Sequence, residues 1–138
     1  IITALETHHR SEYAFPLSVD EKSNRLGYVN FFLAEHSKRK DLANTANGED
    51  LSWLLIFLVA KSFINDEKLP ISDLYVSAPS AKSTINARIN SLIDEGIIEK
   101  VNDPADGRRQ LVILSEHFKG SLLAHIDGSI KLIRDKVL

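Results

Sequence analysis

The chain has 138 residues, the length of one ordinary domain and too short for two. Hydrophobic residues make up 43% and charged residues 26%, a composition that excludes disorder, collagen and low complexity. Cysteine is absent, which excludes a disulfide framework, a thiolate zinc site, a catalytic cysteine and a thiol redox sensor. The 17 basic and 19 acidic residues leave a net charge of −2, which argues mildly against a nucleic-acid ligand until the charges are placed.

The longest strongly apolar stretch, Leu51 to Ala60, is too short to span a bilayer, and no basic-then-apolar leader pattern opens the sequence. The expectation is a cytoplasmic protein with no membrane partner. In chain order, Ile1 to Phe15 is weakly patterned, and Pro16 ends it. Ser18-Val-Asp-Glu21 has the form of a capping box, which predicts a helix carrying Leu26, Val29, Phe32 and Leu33 to about Leu42, with Asn47-Gly48 as its stop. A second helix, about Asp50 to Ile64, is apolar nearly all round through Leu51, Trp53, Leu54, Leu55, Ile56, Leu58 and Val59, and is expected to be the hub of the core.

After the polar connector Asn65 to Lys68, Pro70 restarts the chain, Ser72 is expected to cap a short helix with Leu74 and Val76, and Pro79-Ser80 interrupts it. From Ser80, the positions Ile85, Ile89, Leu92 and Ile93 form one apolar stripe on a helix that Gly96 can terminate. Ile97 to Val101 and Leu111 to Leu114 are rich in β-branched residues, and the turn formers Asn102 to Gly107 between them predict a two-stranded hairpin. Phe118, Leu122, Ile126, Ile130, Ile133 and Val137 then mark a final helix whose stripe exceeds what the small sheet and short helices can cover. That excess predicts an interface with a second copy, packing against Ile1 to Phe15 being the alternative; Gly120 and Gly128 would permit close approach of a neighbouring helix.

The predicted fold is therefore mainly α with a small β-hairpin: a winged helix-turn-helix with N- and C-terminal dimerisation helices, residues 1–138 forming a single domain. Residues 50–115 make the core of that unit, with a recognition helix at about 80–95 and a wing at about 97–115. Residues 18–45 and 116–138 supply the N- and C-terminal helices, and it is the family resemblance given below that implies a dimerisation role for both. Such a second helix can enter a major groove while a hairpin tip reaches the flanking minor groove. With the apolar stripe turned inward, Lys82, Ser83, Asn86, Ala87 and Asn90 face outward and Thr84 lies near the edge. Asn suits adenine, Lys suits guanine or phosphate, and Ser and Thr suit either bases or phosphates. Arg88, beside the stripe, is expected to pack its stem or pair with Asp94 or Glu95. In the hairpin, Gly107 allows an unusual backbone conformation that sets Arg108 and Arg109 at the tip, where a narrow minor groove attracts guanidinium, and Asp106 can hold Arg108 in position.

From Ile71 to Ser115 the chain resembles the MarR-type winged-helix transcriptional regulators. The matching segments are Ser83-Thr84-Ile85, Leu92-Ile93-Asp94-Glu95-Gly96-Ile97-Ile98, Asp103-Pro-Ala-Asp-Gly-Arg-Arg109 and Leu111-Val-Ile-Leu-Ser115. The resemblance implies a homodimer whose first and last helices intertwine and whose recognition helices each read half of a pseudo-palindromic duplex-DNA operator. It assigns the wing arginine to Arg108 and its supporting aspartate to Asp106. It also implies a small-molecule effector between the dimer and DNA-binding regions, with Phe31, Phe32, Trp53 and Tyr75 as candidate lining. The sequence departs from such regulators at Ala87 and Ser91, where basic residues are common, and at Ala78 and Ser80, which are small.

From Pro79 to Ser115 the bases Lys82, Arg88, Lys100, Arg108 and Arg109 balance the acids Asp94, Glu95, Glu99, Asp103 and Asp106. This neutrality keeps open a second reading, a winged-helix protein-interaction or dimerisation module with little DNA affinity. The run His36-Ser-Lys-Arg-Lys40 would add positive charge if its helix faced the DNA backbone. No phosphate loop, nucleophile elbow or Ser/His/Asp arrangement is present, so an enzyme is not expected. The histidines His8, His9, His36, His117 and His125 lack the spacing of a helical metal site, and neither metal nor cofactor is expected.

Overall fold

The computed structural model describes residues 20–43 and 48–137, with side chains described for residues 20–35 and 50–135. The expectations for Ile1 to Phe15, Pro16, Ser18, Asn47, the side chains of His36 to Lys40 and that of Val137 lie outside the described residues. In chain order the elements are α1 (Glu21–Ala43), α2 (Gly48–Ile64), α3 (Ile71–Ser77), α4 (Lys82–Asp94), β1 (Ile98–Asn102), β2 (Gln110–Leu114) and α5 (Glu116–Val137). This is a mainly α chain with one antiparallel hairpin following a helix-turn-helix. Among the described residues, no helix is long and apolar enough to cross a membrane.

Capping sets the element boundaries. At the start of α1 it is Asp20 whose carboxylate accepts from the Lys22 amide at 3.1 Å and the Ser23 hydroxyl at 2.7 Å. Asp20 thus caps the first turn of α1, and the Ser18 side of the predicted capping box lies outside the described residues. The Ser23 hydroxyl, followed by the neighbouring amides, holds the Asp20 carboxyl below its ordinary pKa. Helix α3 starts after Pro70 with no side-chain cap, so Ser72 lies one position inside the helix instead of capping it. At the end of α4 the Gly96 amide donates to the Ile93 carbonyl and the Ile97 amide to that of Leu92, both at 2.9 Å, with Gly96 at φ 75°. That pair of bonds closes the helix and turns the chain directly into β1. The end of α2 repeats the arrangement with Asp66 at φ 55°, its amide donating to Phe63 and that of Glu67 to Ser62.

Helix α2 is the hub. Leu51, Leu54, Leu55, Ile56, Phe57, Val59, Ala60 and Ile64 are buried in one cluster with Leu74 of α3, Ile85, Ile89 and Leu92 of α4, Ile98, Val112 and Leu114 of the hairpin, and Leu122, Ile126 and Ile130 of α5. Trp53 departs from the expectation in being 37% exposed, at the edge of that cluster with its ring 6.0 Å from that of Phe57. Phe32 stacks on Phe57 at a centroid distance of 4.1 Å, fastening α1 to the hub. Arg25 of α1 makes a two-pronged bond to Asp127 of α5 at 2.9 and 2.7 Å and a third contact to Glu21, which keeps its guanidinium more firmly protonated than usual.

Along α5, Leu122, Ile126 and Ile130 are covered within the chain, with α1 packed alongside, and among the described side chains of this helix Leu132, 60% exposed, is the large apolar one left open. Among the described residues, a Cβ added at Gly120 or Gly128 would meet nothing within 4 Å, so no close helix approach is marked there by these glycines.

The hairpin pairs Ile98 with Leu114 through to Asn102 with Gln110. It is stitched to the helix-turn-helix by a bridge between Pro70 and Leu111 and by the Val112 amide, which donates to the Leu69 carbonyl at 2.9 Å. These bonds make the segment before α3 a third, one-residue strand against β2.

Candidate nucleic-acid interface

The inward face of α4 is occupied by Ile85, Ile89 and Leu92, all buried, and this fixes the opposite face by helical geometry. Lys82, Ser83, Thr84, Ala87 and Asn90 are exposed, while Asn86 and Arg88 are half-buried. The N-cap residue, Ala81, makes no side-chain bond, and no acidic residue lies in the first turn. The first amides of α4 are thus unblocked by any carboxylate, beside the hydroxyls of Ser83 and Thr84 and the ammonium of Lys82, a set suited to phosphate oxygens. Arg88 forms no ion pair with Asp94 or Glu95 among the described residues.

Two contacts tie the outer end of α4 to α3. The Tyr75 hydroxyl donates to Oδ1 of Asn86 at 3.0 Å, and Nζ of Lys82 sits 5.0 Å from the centre of the Tyr75 ring. Tyr75 therefore belongs to the helix-turn-helix corner and not to a cavity with Phe32 and Trp53, which pack with Phe57 instead.

The wing tip is built by two successive aspartates. Asp103 accepts the Ala105 amide on Oδ1 at 3.0 Å, and Asp106 accepts the Arg108 amide on Oδ1 at 3.1 Å. Backbone bonds from Asp106 to the Asp103 carbonyl, from Arg109 to that of Asp106 and from Asp103 to that of Arg109 close the loop. Gly107 does not have positive φ, and a Cβ there would meet nothing within 4 Å; the aspartate turns, not glycine, shape this tip. The Arg108 side chain stands 94% exposed, with only a loose 3.4 Å contact from Nε to Asp106.

Arg109 is placed differently from its neighbour. Its guanidinium donates to Oδ2 of Asp103, with Nε at 3.0 Å and an Nη at 2.8 Å, while Lys68 from the α2–α3 connector holds Oδ1 at 2.8 Å. The Asp103 carboxylate is 1% exposed and shared by two cations that each keep about half of their side chain in solvent. The Lys68 bond foremost, then the Ala105 amide and Arg109, hold its pKa far below the usual carboxylate range against the opposing effect of burial. A buried carboxylate with both oxygens satisfied is a structural brace, and it locks the wing base to the chain segment leading into α3.

The sequence-derived set is thus divided by the structure. Lys82, Ser83, Thr84, Ala87 and Asn90 share the open face of α4, Asn86 is turned to Tyr75, Arg108 is free at the tip with Asp106 beneath it, and Arg109 is committed to Asp103. Lys68, Tyr75 and Asp103 were not singled out as parts of this surface. The pairing of Lys68 with Asp103 spans 35 positions and carries no local pattern. A signal for Tyr75 was present, since a polar aromatic on a short helix is expected to find a partner for its hydroxyl when half-buried.

No protein-family model matches the chain, and no curated protein matches it. Among solved structures, the chain is similar to a transcriptional regulator of Thermotoga maritima, at 19% identity over 78% of this chain and 70% of that one, with a TM-score of 0.49. It is similar to a protein of Pseudomonas aeruginosa described as a probable transcriptional regulator, at 22% identity over 75% of this chain and 79% of that one, with a TM-score of 0.46. MarR itself is similar at 18% identity over 80% of this chain and 82% of that one, with a TM-score of 0.41.

Proposed function

We propose that the chain is a sequence-specific duplex-DNA-binding transcriptional regulator that acts as a homodimer on a pseudo-palindromic operator. Helix α4 enters the major groove through Lys82, Ser83, Thr84, Asn86, Ala87 and Asn90, and the wing presents Arg108 to the adjacent minor groove. The observation that carries this reading is Arg108: a side chain 94% exposed on a loop whose backbone is pinned by Asp106 and whose base is locked by Asp103. Such an arrangement presents a cation to solvent from a braced loop, where its side chain adds little to the fold and is poised for an anionic groove.

The positive charge of this surface is local: Lys68 and Arg109 share the one carboxylate of Asp103, while Asp66 and Glu67 beside Lys68 keep the wider region from being basic. A single copy still offers few phosphate contacts, and two copies acting together supply the affinity that one lacks. Dimerisation in this proposal rests on that requirement, with residues 18–45 and 116–138 as the intertwining helices, residues 50–115 as the DNA-binding unit and the whole of 1–138 as one domain. A small-molecule effector and a cytoplasmic location belong to the same proposal.

Fluorescence anisotropy with a pool of labelled random duplexes at low salt tests it. Binding by the unaltered protein that weakens on Arg108→Ala supports the reading. No binding, or equal binding by both proteins, overturns it and leaves the protein-interaction module as the surviving alternative.

A further inference from the structure

We infer that Tyr75 is a positioning residue that sets the base preference of the recognition helix by holding the Asn86 amide oxygen-inward, so that this asparagine meets the major groove as a hydrogen-bond donor. The inference rests on the proposed DNA-binding function and names what one position of α4 selects. Asn86 stands on the edge of the open face, half-buried, with Oδ1 accepting from the Tyr75 hydroxyl at 3.0 Å. A free asparagine pairs with adenine by accepting from N6 and donating to N7. With its oxygen drawn to a phenol on the preceding helix, the side chain offers the nitrogen end instead, and two N–H groups suit the adjacent acceptors N7 and O6 of guanine.

Lys82 strengthens the same preference. Its ammonium rests 5.0 Å from the centre of the Tyr75 ring, which restrains a flexible cation one helical turn before Asn86. An asparagine turned nitrogen-outward beside a held ammonium makes a corner that leads with donors. The electronegative major-groove edge of guanine complements it, whereas the adenine amino group would meet it donor to donor. Tyr75 belongs to α3, so one hydroxyl on the first helix of the pair sets what the second helix reads.

Selection of bound sequences from a random duplex library, run with the unaltered protein, Tyr75→Phe and Asn86→Ala, tests the inference. The phenylalanine variant keeps the ring and its contact with Lys82 and removes only the hydroxyl. Asn86→Ala identifies the operator position that Asn86 reads, as the one whose preference disappears. The expected result is guanine at that position for the unaltered protein and a shift in the guanine-to-adenine ratio toward adenine of about tenfold or more for Tyr75→Phe. Adenine preferred by the unaltered protein, no position lost in Asn86→Ala, or an unchanged ratio in Tyr75→Phe overturns this inference while leaving DNA binding intact. Failure of the unaltered protein to enrich any sequence overturns the proposed function, and this inference with it.

Discussion

Replacing Arg108 by alanine separates contribution to the fold from contribution to the ligand more cleanly than any other change in the wing. Its side chain is 94% exposed and its one charged contact, Asp106 at 3.4 Å, is long and solvent-screened, so the thermal midpoint is expected to stay within experimental error. Loss of one charge-assisted contact per protomer costs about 1.5 kcal/mol, hence about 3 kcal/mol for a two-fold dimer, on the order of a hundredfold in Kd. If each arginine also displaces about one counterion, the slope of log affinity against log salt becomes shallower by about 2 for the dimer. Anisotropy titrations at several salt concentrations, paired with calorimetric melting, measure both quantities on the same samples. A variant with unchanged slope and affinity refutes the placement of the wing tip on DNA, and a lowered melting point refutes the claim that Arg108 is idle in the fold.

The remaining predictions concern the scaffold. Gly96→Ala forces a Cβ onto a backbone at φ 75° and to within 3.1 Å of the His117 ring, and costs about 1–2 kcal/mol by urea denaturation, whereas Gly107→Ala, with open space and no positive φ, is neutral or stabilising by a few tenths of a kcal/mol. Asp66→Gly relieves the same backbone strain at the end of α2 and raises stability by about 0.5–1 kcal/mol in the same assay. Because the Asp103 carboxyl titrates lower in the folded chain than its ordinary value of 3.8, the stability it contributes is present above that value and lost as pH falls below it. The melting-point gap between the unaltered protein and Asp103→Asn should accordingly be full near neutrality and close in acid; a gap that does not change with pH contradicts the brace. A double-mutant cycle on Arg25→Ala and Asp127→Ala should give a coupling of about 1 kcal/mol, reduced by solvent at the half-exposed Asp127; no coupling would mean that α1 and α5 are held by apolar packing alone.

Local chemistry made much of this molecule readable in advance. The stripe of α4 dictated its buried face, Gly96 its termination, and the aspartate-rich run between two β-branched segments the hairpin. What escaped was whatever depends on distant partners. Ser72 has the right chemistry for a cap, yet the proline-preset backbone at Pro70 defines the start of α3, since capping preference alone leaves a boundary free by a residue or two. The reach of α1 along α5 could not be seen from periodicity. Arg108 and Arg109 are adjacent and chemically identical, and only the buried Asp103, fixed from its other side by Lys68, tells the exposed cation from the bracing one. Asn86 resembled its outward neighbours for the same reason: its partner Tyr75 lies on another helix.

The stitching of β2 to the segment before α3, through the Pro70–Leu111 bridge, the Val112–Leu69 bond and the Lys68–Asp103 pair, turns hairpin and helix pair into a caliper with fixed jaws. Those bonds fix the base of the wing relative to the α4 face and leave the adjustment to the Arg108 side chain alone. On the proposed DNA ligand, a half-site with one base pair inserted between its major-groove and minor-groove contacts is displaced by about 3.4 Å and rotated by roughly a tenth of a turn, a mismatch that this side chain, and not the scaffold, must absorb.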